Sequence, residues 1–194
     1  MTGVILCGGK SARMGVDKGL IEDKGVAWAQ SAFNKVASLG LPVALSVNPE
    51  QFNSYSSAFD EPKLIIDNNE LQLKGPLLGV MSAHLKYPSE DLLVLACDMP
   101  FMGILILQKL KDQYQLDVSM DAIVYTNNGE PEPLCAVYSS SALVGILQKF
   151  YSGILVKYSM KNMIEHINPY FIVIEENEKK FFKNINTHTD LNGL

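Results

Sequence analysis

The 194-residue chain lacks any long hydrophobic run. Its cleanest apolar stretches, Leu92–Cys97 and Ile104–Leu107, fall far below the ~20 residues that a membrane helix needs. No basic start precedes an apolar core, because Gly8 and Gly9 interrupt the first hydrophobic stretch, and a secretory leader is not expected. Cysteine is scarce and odd in number. Cys7, Cys97 and Cys135 show no C-x-x-C spacing, and His84, His166 and His188 stand at no ligand spacing to them. Each lies in or at the end of an apolar run, so they are expected as buried reduced thiols of a cytoplasmic protein, without structural zinc. Positive charge is short as well. Sixteen Lys+Arg face 21 Asp+Glu, a net charge of −5, which argues against nucleic acid as a partner. No repeat, low-complexity tract or Pro/Gly/Ser linker divides the chain, and at this length residues 1–194 are expected to form a single domain.

What is present is a globular composition, 47% hydrophobic and 19% charged, with strand-like runs alternating with helical periodicity. Strands are expected at Gly3–Cys7, Pro42–Val47, Lys63–Ile66, Leu92–Ala96, Ala122–Thr126, Leu134–Tyr138 and Phe171–Glu175. Between them, Val26, Ala29, Phe33, Val36 and Ala37 mark a helix over 26–39 that stops at Gly40. A short helix follows Asn48-Pro49, and Gly75-Pro76 opens another through Leu78, Met81 and Leu85. A further helix runs through Leu107, Leu110 and Tyr114, with two more near 140–151 and 158–167. Such alternation predicts an α/β, Rossmann-like domain, a mostly parallel twisted sheet with helices on both faces. Ligands of such sheets lie beyond the carboxyl ends of the strands. Gly8, Gly9, Asn48, Asp67 and Asp98 fall there.

The densest chemistry lies in Leu6–Lys18, LCGGKSARMGVDK. A strand runs into two glycines, and Lys10, Arg13 and Lys18 follow against Asp17 alone. Glycines let a backbone approach phosphate closely, and their N–H groups form anion-binding concavities. Two familiar phosphate motifs do not fit. A P-loop ending at Gly9-Lys10-Ser11 would need glycine at Val4, and G-x-G-x-x-G cannot be laid on Gly8 or Gly9. Lys18 offers a point charge for a triphosphate, and Arg13 a planar donor fork for phosphate oxygens. Asp98, straight after a buried strand, is a hard oxygen ligand suited to magnesium. Asn48 and Asp67 can hydrogen-bond base or ribose. Equally, Asn48 before Pro49 reads as a helix start, and Asp67-Asn68-Asn69 as a turn.

LCGGKSARMGVDK resembles the L-A-G-G-x-S-x-R-M-G-x-D-K signature of the molybdenum cofactor guanylyltransferases, the MobA family, nucleotidyltransferases of glycosyltransferase-A type fold. Gly75-Pro76-Leu77-Leu78-Gly79 resembles the family's G-P-L-x-G, Cys97-Asp98-Met99-Pro100 its C-D-x-P, and Asn184-Ile185-Asn186-Thr187 its N-x-N-T. Related cytidylyltransferases tend to carry Ala-Gly where this chain has Gly8-Gly9, and Cys7 stands where the family usually has alanine. The resemblance implies GTP bound by Leu6, Cys7, Gly8, Lys18, Asn48, Asp67 and Asp98. It implies Mg²⁺ as cofactor held by Asp98, with Asn186 a further candidate for the metal shell and a turn its other reading. Arg13, Lys18 and Asp98 are then the catalytic candidates. The implied reaction transfers GMP to the terminal phosphate of molybdenum–molybdopterin, and a molybdoenzyme or its chaperone is the implied protein partner. Another nucleotide or acceptor on the same chemistry, or a non-catalytic GTP-binding subunit, are the rival readings.

The acceptor region is expected around Glu130–Pro133, a stiff Glu-Pro-Glu-Pro loop before a strand, where a solvated loop is the equal alternative. Lys157 and Lys161 read either as acceptor-phosphate contacts or as a charged helix face. The histidines are expected at the surface or behind the site.

Overall fold

The computed structural model describes residues 1–8, 17–117 and 119–185. Gly9, Lys10, Arg13, Asn186 and His188 lie outside the described residues. Strand β1 (Thr2–Leu6) leads toward the short hairpin β2 (Glu22–Asp23) and β3 (Val26–Ala27), then helix α1 (Trp28–Ala37). Strand β4 (Val43–Val47), helix α2 (Phe52–Ser56), strand β5 (Leu64–Ile66) and helix α3 (Pro76–Lys86) follow. Next come β6 (Leu92–Ala96), α4 (Ile104–Leu116), β7 (Ala122–Asn127), β8 (Glu130–Tyr138), α5 (Ser140–Tyr151), α6 (Met160–Ile164) and β9 (Pro169–Val173).

Among the described residues the central sheet has seven strands in the order β5-β4-β1-β6-β8-β7-β9. β1 is parallel to β4 on one side and to β6 on the other, with Leu6 level with Ser46 and Ala96. Only β8 runs against its neighbours β6 and β7; β9 is parallel to β7. The expected α/β class and mostly parallel sheet are what the chain forms. Alternation along each central strand feeds two cores. Ile5, Leu93 and Leu95 pack with Ala29 and Val36 of α1 and Leu107 and Leu110 of α4. Val4, Leu6 and Val94 pack on the opposite face with Leu77 and Met81 of α3 and Leu143 and Ile146 of α5.

Several local expectations change. Val26 belongs to the β2–β3 hairpin, turned by Lys24 and Gly25 with positive φ, and is exposed; the buried stripe of α1 is Trp28, Ala29, Ala32 and Val36. Glu130–Pro133 is strand, not loop. Asn128 and Gly129, both at positive φ, close a two-residue hairpin in which Glu130 pairs with Asn127 and Pro131 with Thr126. β6 reaches only Cys135–Tyr138, so both prolines sit where β8 extends past β6 and no strand there requires their missing N–H. Pro133 also falls where the β7–β8 register slips, between Val124 and Tyr125. His84 is only 2% exposed in α3, its Nδ1 has no hydrogen-bond partner, and burial lowers its pKa. Among the described residues no helix is long and apolar enough to cross a membrane.

The approach of α1 to the sheet depends on a missing side chain. A Cβ on Gly3 would lie 2.3 Å from Val36 Cγ1. Gly3→Ala is therefore expected to destabilise the fold by about 1–3 kcal/mol through overpacking. Combining it with Val36→Ala should cost less than the sum of the two single changes, since the second removes the clashing methyl. Urea unfolding of the four proteins measures the difference.

Candidate active site

The site grows from the register of β1. The chain builds β4 and β5 on one side of β1 and then crosses to place β6 on the other, so the strand order reverses between β1 and β6. At that reversal a parallel sheet opens a crevice beyond its carboxyl ends. Cys7 and Gly8 end β1 there, Cys97 and Asp98 end β6, Asn48 ends β4 and Asp67 ends β5. The main chain ties these ends together. Cys7 N–H donates to Ser46 O at 2.9 Å, Cys97 N–H to Leu6 O at 3.1 Å, and Asp67 N–H to Val47 O at 2.9 Å. The Cys7 and Cys97 thiols hydrogen-bond each other, and that contact, followed by burial, raises the pKa of Cys97 well above the usual thiol range. All three cysteines are buried thiols without disulfides, as expected.

Lys18 Nζ donates to Asp98 Oδ2 at 2.9 Å, joining the cation of the first loop to the carboxylate after β6. Both side chains are partly open, 17% and 23% exposed. Ile185 N–H donates to Asp98 O at 3.2 Å, which brings the Asn184-Ile185 segment beside this carboxylate. Asn186 and Arg13 lie outside the described residues.

Across the crevice Asp67 is buried, with Oδ1 accepting from Ser46 Oγ at 2.7 Å. Burial outweighs that single donor and raises its pKa to about 6. Glycine keeps the neighbourhood tight. A Cβ on Gly8 would stand 3.0 Å from Asp67 Oδ2, and one on Gly79 would stand 2.6 Å from Ser46 Oγ and 3.0 Å from Leu6 Cδ2. The second glycine of Gly-Pro-Leu-Leu-Gly thus lets α3 lie against β1 and β4, while Gly75, at φ +61°, turns the chain into Pro76 at the helix start. Asn48 closes the turn that leads into α2, its Oδ1 accepting from Gln51 N–H at 2.9 Å, and Gln51 is the residue that precedes the helix.

Three contributors, Ser46, Tyr55 and Gln51, carried no signature in the sequence, and a fourth, Asp17, lies inside the first signature without a role assigned to it there. Ser46 holds Asp67. Asp17 Oδ1 accepts from Tyr55 Oη and from Gly19 N–H, each at 3.0 Å, and its Oδ2 accepts from Gln51 Nε2 at 2.6 Å. Tyr55 is fully buried and its pKa is raised, first by burial and then by the nearby Cys7 and Cys97. Asn-Pro-Glu-Gln, with a side-chain acceptor followed three residues later by Gln, is the signal that would have found Gln51, since that spacing is a capping box. The weaker acceptor candidates lie elsewhere: Lys161 Nζ donates to Glu130 Oε2 in an exposed ion pair between α6 and the β7–β8 hairpin, and Lys157 is exposed.

Gly8, an ion-paired lysine and two strand-end carboxylates thus gather beyond the carboxyl ends of the parallel strands, where α/β sheets of this kind bind their ligands. Comparison with known proteins goes further: the MobA-like NTP transferase domain matches residues 3–169, and the chain belongs to that family of nucleotidyltransferases. It is 27% identical over its full length to a probable molybdenum cofactor guanylyltransferase of Flavobacterium johnsoniae, covering 96% of that protein. It is 32% identical over 141 residues, 73% of this chain, to a molybdenum cofactor biosynthesis bifunctional protein of a Synechocystis strain, of whose length the match spans 40%. In fold it is similar to molybdopterin-guanine dinucleotide biosynthesis protein A of Archaeoglobus fulgidus, with TM-score 0.78 at 24% identity, covering 100% of this chain and 96% of that one.

Asp67 yields a test in the absence of any substrate. Unfolded, its carboxyl ionises near 3.8; folded, near 6. The folded state therefore holds its proton more tightly, and stability falls as pH rises between these values, the loss being complete above them. Asp67→Asn is expected to stabilise the nucleotide-free protein by about 1–3 kcal/mol at pH 8, with the gain vanishing near pH 4. Denaturant unfolding at both pH values checks this.

Proposed function

We propose that the protein transfers GMP from Mg·GTP to the terminal phosphate of molybdenum–molybdopterin, giving the guanine dinucleotide form of the cofactor and pyrophosphate. The observation that carries this is the Lys18–Asp98 pair at 2.9 Å just past the end of β6, a cation and a carboxylate in the crevice where a triphosphate would enter. The full-length similarity to a probable molybdenum cofactor guanylyltransferase supports the choice of nucleotide and acceptor.

The residues account for the chemistry without a general base. A phosphomonoester has a second pKa of ~6, so the attacking oxygen is already ionised at neutral pH. The protein's task is to align it for in-line attack on the α-phosphorus and to offset the charge that builds up. The backbone from Leu6 to Gly8 takes the nucleotide closely, and Lys18 supplies a positive charge to its phosphates. Arg13 is assigned to the same phosphates by its guanidinium fork. Asp67, ionised above about pH 6, and Asn48 are assigned to orient ribose or base.

Mg²⁺ fits the donors present. Asp98 is a hard carboxylate at a strand end. That matches an ion held by one or two carboxylates and completed by substrate phosphates. Asp98, with Asn186 as the further candidate, would hold it. When bound it offsets phosphate charge. Before substrate binds, Asp98 and Lys18 neutralise each other.

Asp98→Ala removes that carboxylate but leaves β6 and the Ile185 contact to the residue 98 carbonyl in place. A folded protein with turnover lowered at least ~100-fold is expected, from loss of about 3 kcal/mol of barrier stabilisation. Circular dichroism and kcat with GTP and molybdopterin measure both parts; near wild-type turnover would remove the assignment.

Nucleotide identity is tested by thermal stabilisation with Mg²⁺ and GTP, CTP, ATP or UTP, GTP giving the largest rise in Tm. The choice is open on fold alone, since a CMP-2-keto-3-deoxy-manno-octonic acid synthetase complexed with CTP shares it, with TM-score 0.70 at 13% identity. Gly8→Ala puts a methyl against Asp67 Oδ2 and moves the turn toward the Ala-Gly of cytidylyltransferases. The GTP/CTP ratio of kcat/KM is expected to fall by about tenfold or more, roughly 1.4 kcal/mol. An unchanged ratio would mean that guanine is recognised away from this turn.

A further inference from the structure

We infer that Gln51 is a positioning residue of the nucleotide site, holding Cys7 and Asp17, and with them the adjacent Gly8 and Lys18, in place through its carboxamide N–H groups. The inference rests on the nucleotidyltransferase reading above and adds a residue to it. Gln51 is 9% exposed, and every polar atom of its side chain is engaged. Its Oε1 accepts from Asn48 N–H at 3.0 Å, while Asn48 Oδ1 accepts from Gln51 N–H. This reciprocal pair is a capping box, which organises the turn into α2. A capping box needs only an acceptor from its last residue, and glutamate serves there as well as glutamine.

The two donor hydrogens do something a cap does not require. Nε2 donates to Cys7 O at 3.0 Å and to Asp17 Oδ2 at 2.6 Å. Cys7 is the residue before Gly8, and Asp17 the residue before Lys18. One buried amide thus joins Cys7 and Asp17 and ties both to the turn that follows β4. Asp17 is anchored on its other side by Tyr55 Oη and Gly19 N–H. Gly19 is held by this packing too, for a Cβ there would meet Tyr55 Oη at 2.0 Å. A hydrogen bond to a carboxylate is charge-assisted and strong, so the Gln51–Asp17 contact sets where Lys18 starts.

Gln51→Glu separates the two roles. The introduced carboxylate keeps the acceptor for Asn48 N–H but offers no donor, and places a second negative charge against Asp17. Two carboxylates so close cannot both ionise without cost, so the pair takes up a proton as pH falls and the repulsion is relieved. Among the described residues, the other titratable or charged groups facing this spot are Tyr55 from α2, the Cys7 and Cys97 thiols, Asp98 after β6, and Lys18; Asp67 lies across Gly8. Because Asp67 titrates in both proteins, the variant is read as a ratio to wild type at each pH.

The experiment measures GTP affinity with Mg²⁺ by calorimetry for wild type, Gln51→Glu, Gln51→Met and the double variant Asp17→Asn/Gln51→Glu, at pH 8 and pH 5.5. Circular dichroism and unfolding confirm that each protein is folded. The expected result is a loss of about tenfold or more for Gln51→Glu at pH 8, shrinking severalfold at pH 5.5. The double variant should recover part of the pH 8 loss, since an Asn amide donates to the new carboxylate with donor and acceptor exchanged. Gln51→Met, which lacks donor and acceptor, should lose affinity equally at both pH values. Wild-type affinity in a folded Gln51→Glu protein at pH 8, or a loss that neither pH nor Asp17→Asn alters, would overturn the inference while leaving the functional reading intact. A wild-type protein that binds none of the four nucleotides would overturn the functional reading and this inference with it.

Discussion

The parallel pairing of β1 between β4 and β6 is the constraint on which the molecule depends. It buries the first strand on both faces and both edges, and it sets Leu6, Ser46 and Ala96 at one level. The strand-end polar groups of the crevice, Asn48, Asp67 and Asp98, follow within two residues of that level. A one-residue slip in either pairing would exchange Ile5 for Val4 and Leu6 between the two cores and carry Gly8 away from Asp67. Fold and site are therefore specified by the same hydrogen-bond ladders.

Much of this was legible in the sequence because the strands are short apolar runs that end in Gly, Asn or Asp. Leu92–Ala96 and the turn at Gly75-Pro76 were readable for that reason, and the family signature lies on those same strand ends. The reversed strand was passed over. Apolar alternation in Leu134–Tyr138 is the same for a parallel and an antiparallel neighbour, and direction is set by the two-residue turn at Asn128-Gly129, an Asn-Gly hairpin signal that the loop reading did not use. The two prolines of Glu-Pro-Glu-Pro reinforced the loop reading, since propensity cannot show that β6 stops short of them. Val26 was drawn into α1 by helical spacing because a two-residue strand leaves no periodicity of its own.

The site divides in the same way. Residues whose chemistry is displayed toward a ligand, Lys18 and Asp98, stand out by charge against an apolar strand end. Those that work inward do not. Ser46 sits within β4 as an ordinary strand residue, and Gln51 and Tyr55 belong to a short turn and helix with ordinary composition. Their roles come from contacts across 34 to 44 residues of chain, Gln51 to Asp17 and to Cys7, and only the fold makes those distances short.

The position of β1 also bears on how the chain is made. Thr2 pairs with Leu92, so the strand that leaves the ribosome early must wait for the whole of α1 through α3 before its second neighbour exists. Until then one edge of an apolar strand stands open, with backbone N–H and C=O groups available to any other extended segment. Parallel partners so distant in sequence come together slowly. During translation this edge is the natural place for a chaperone to hold, and in refolding from denaturant it is where two unfinished chains would first join.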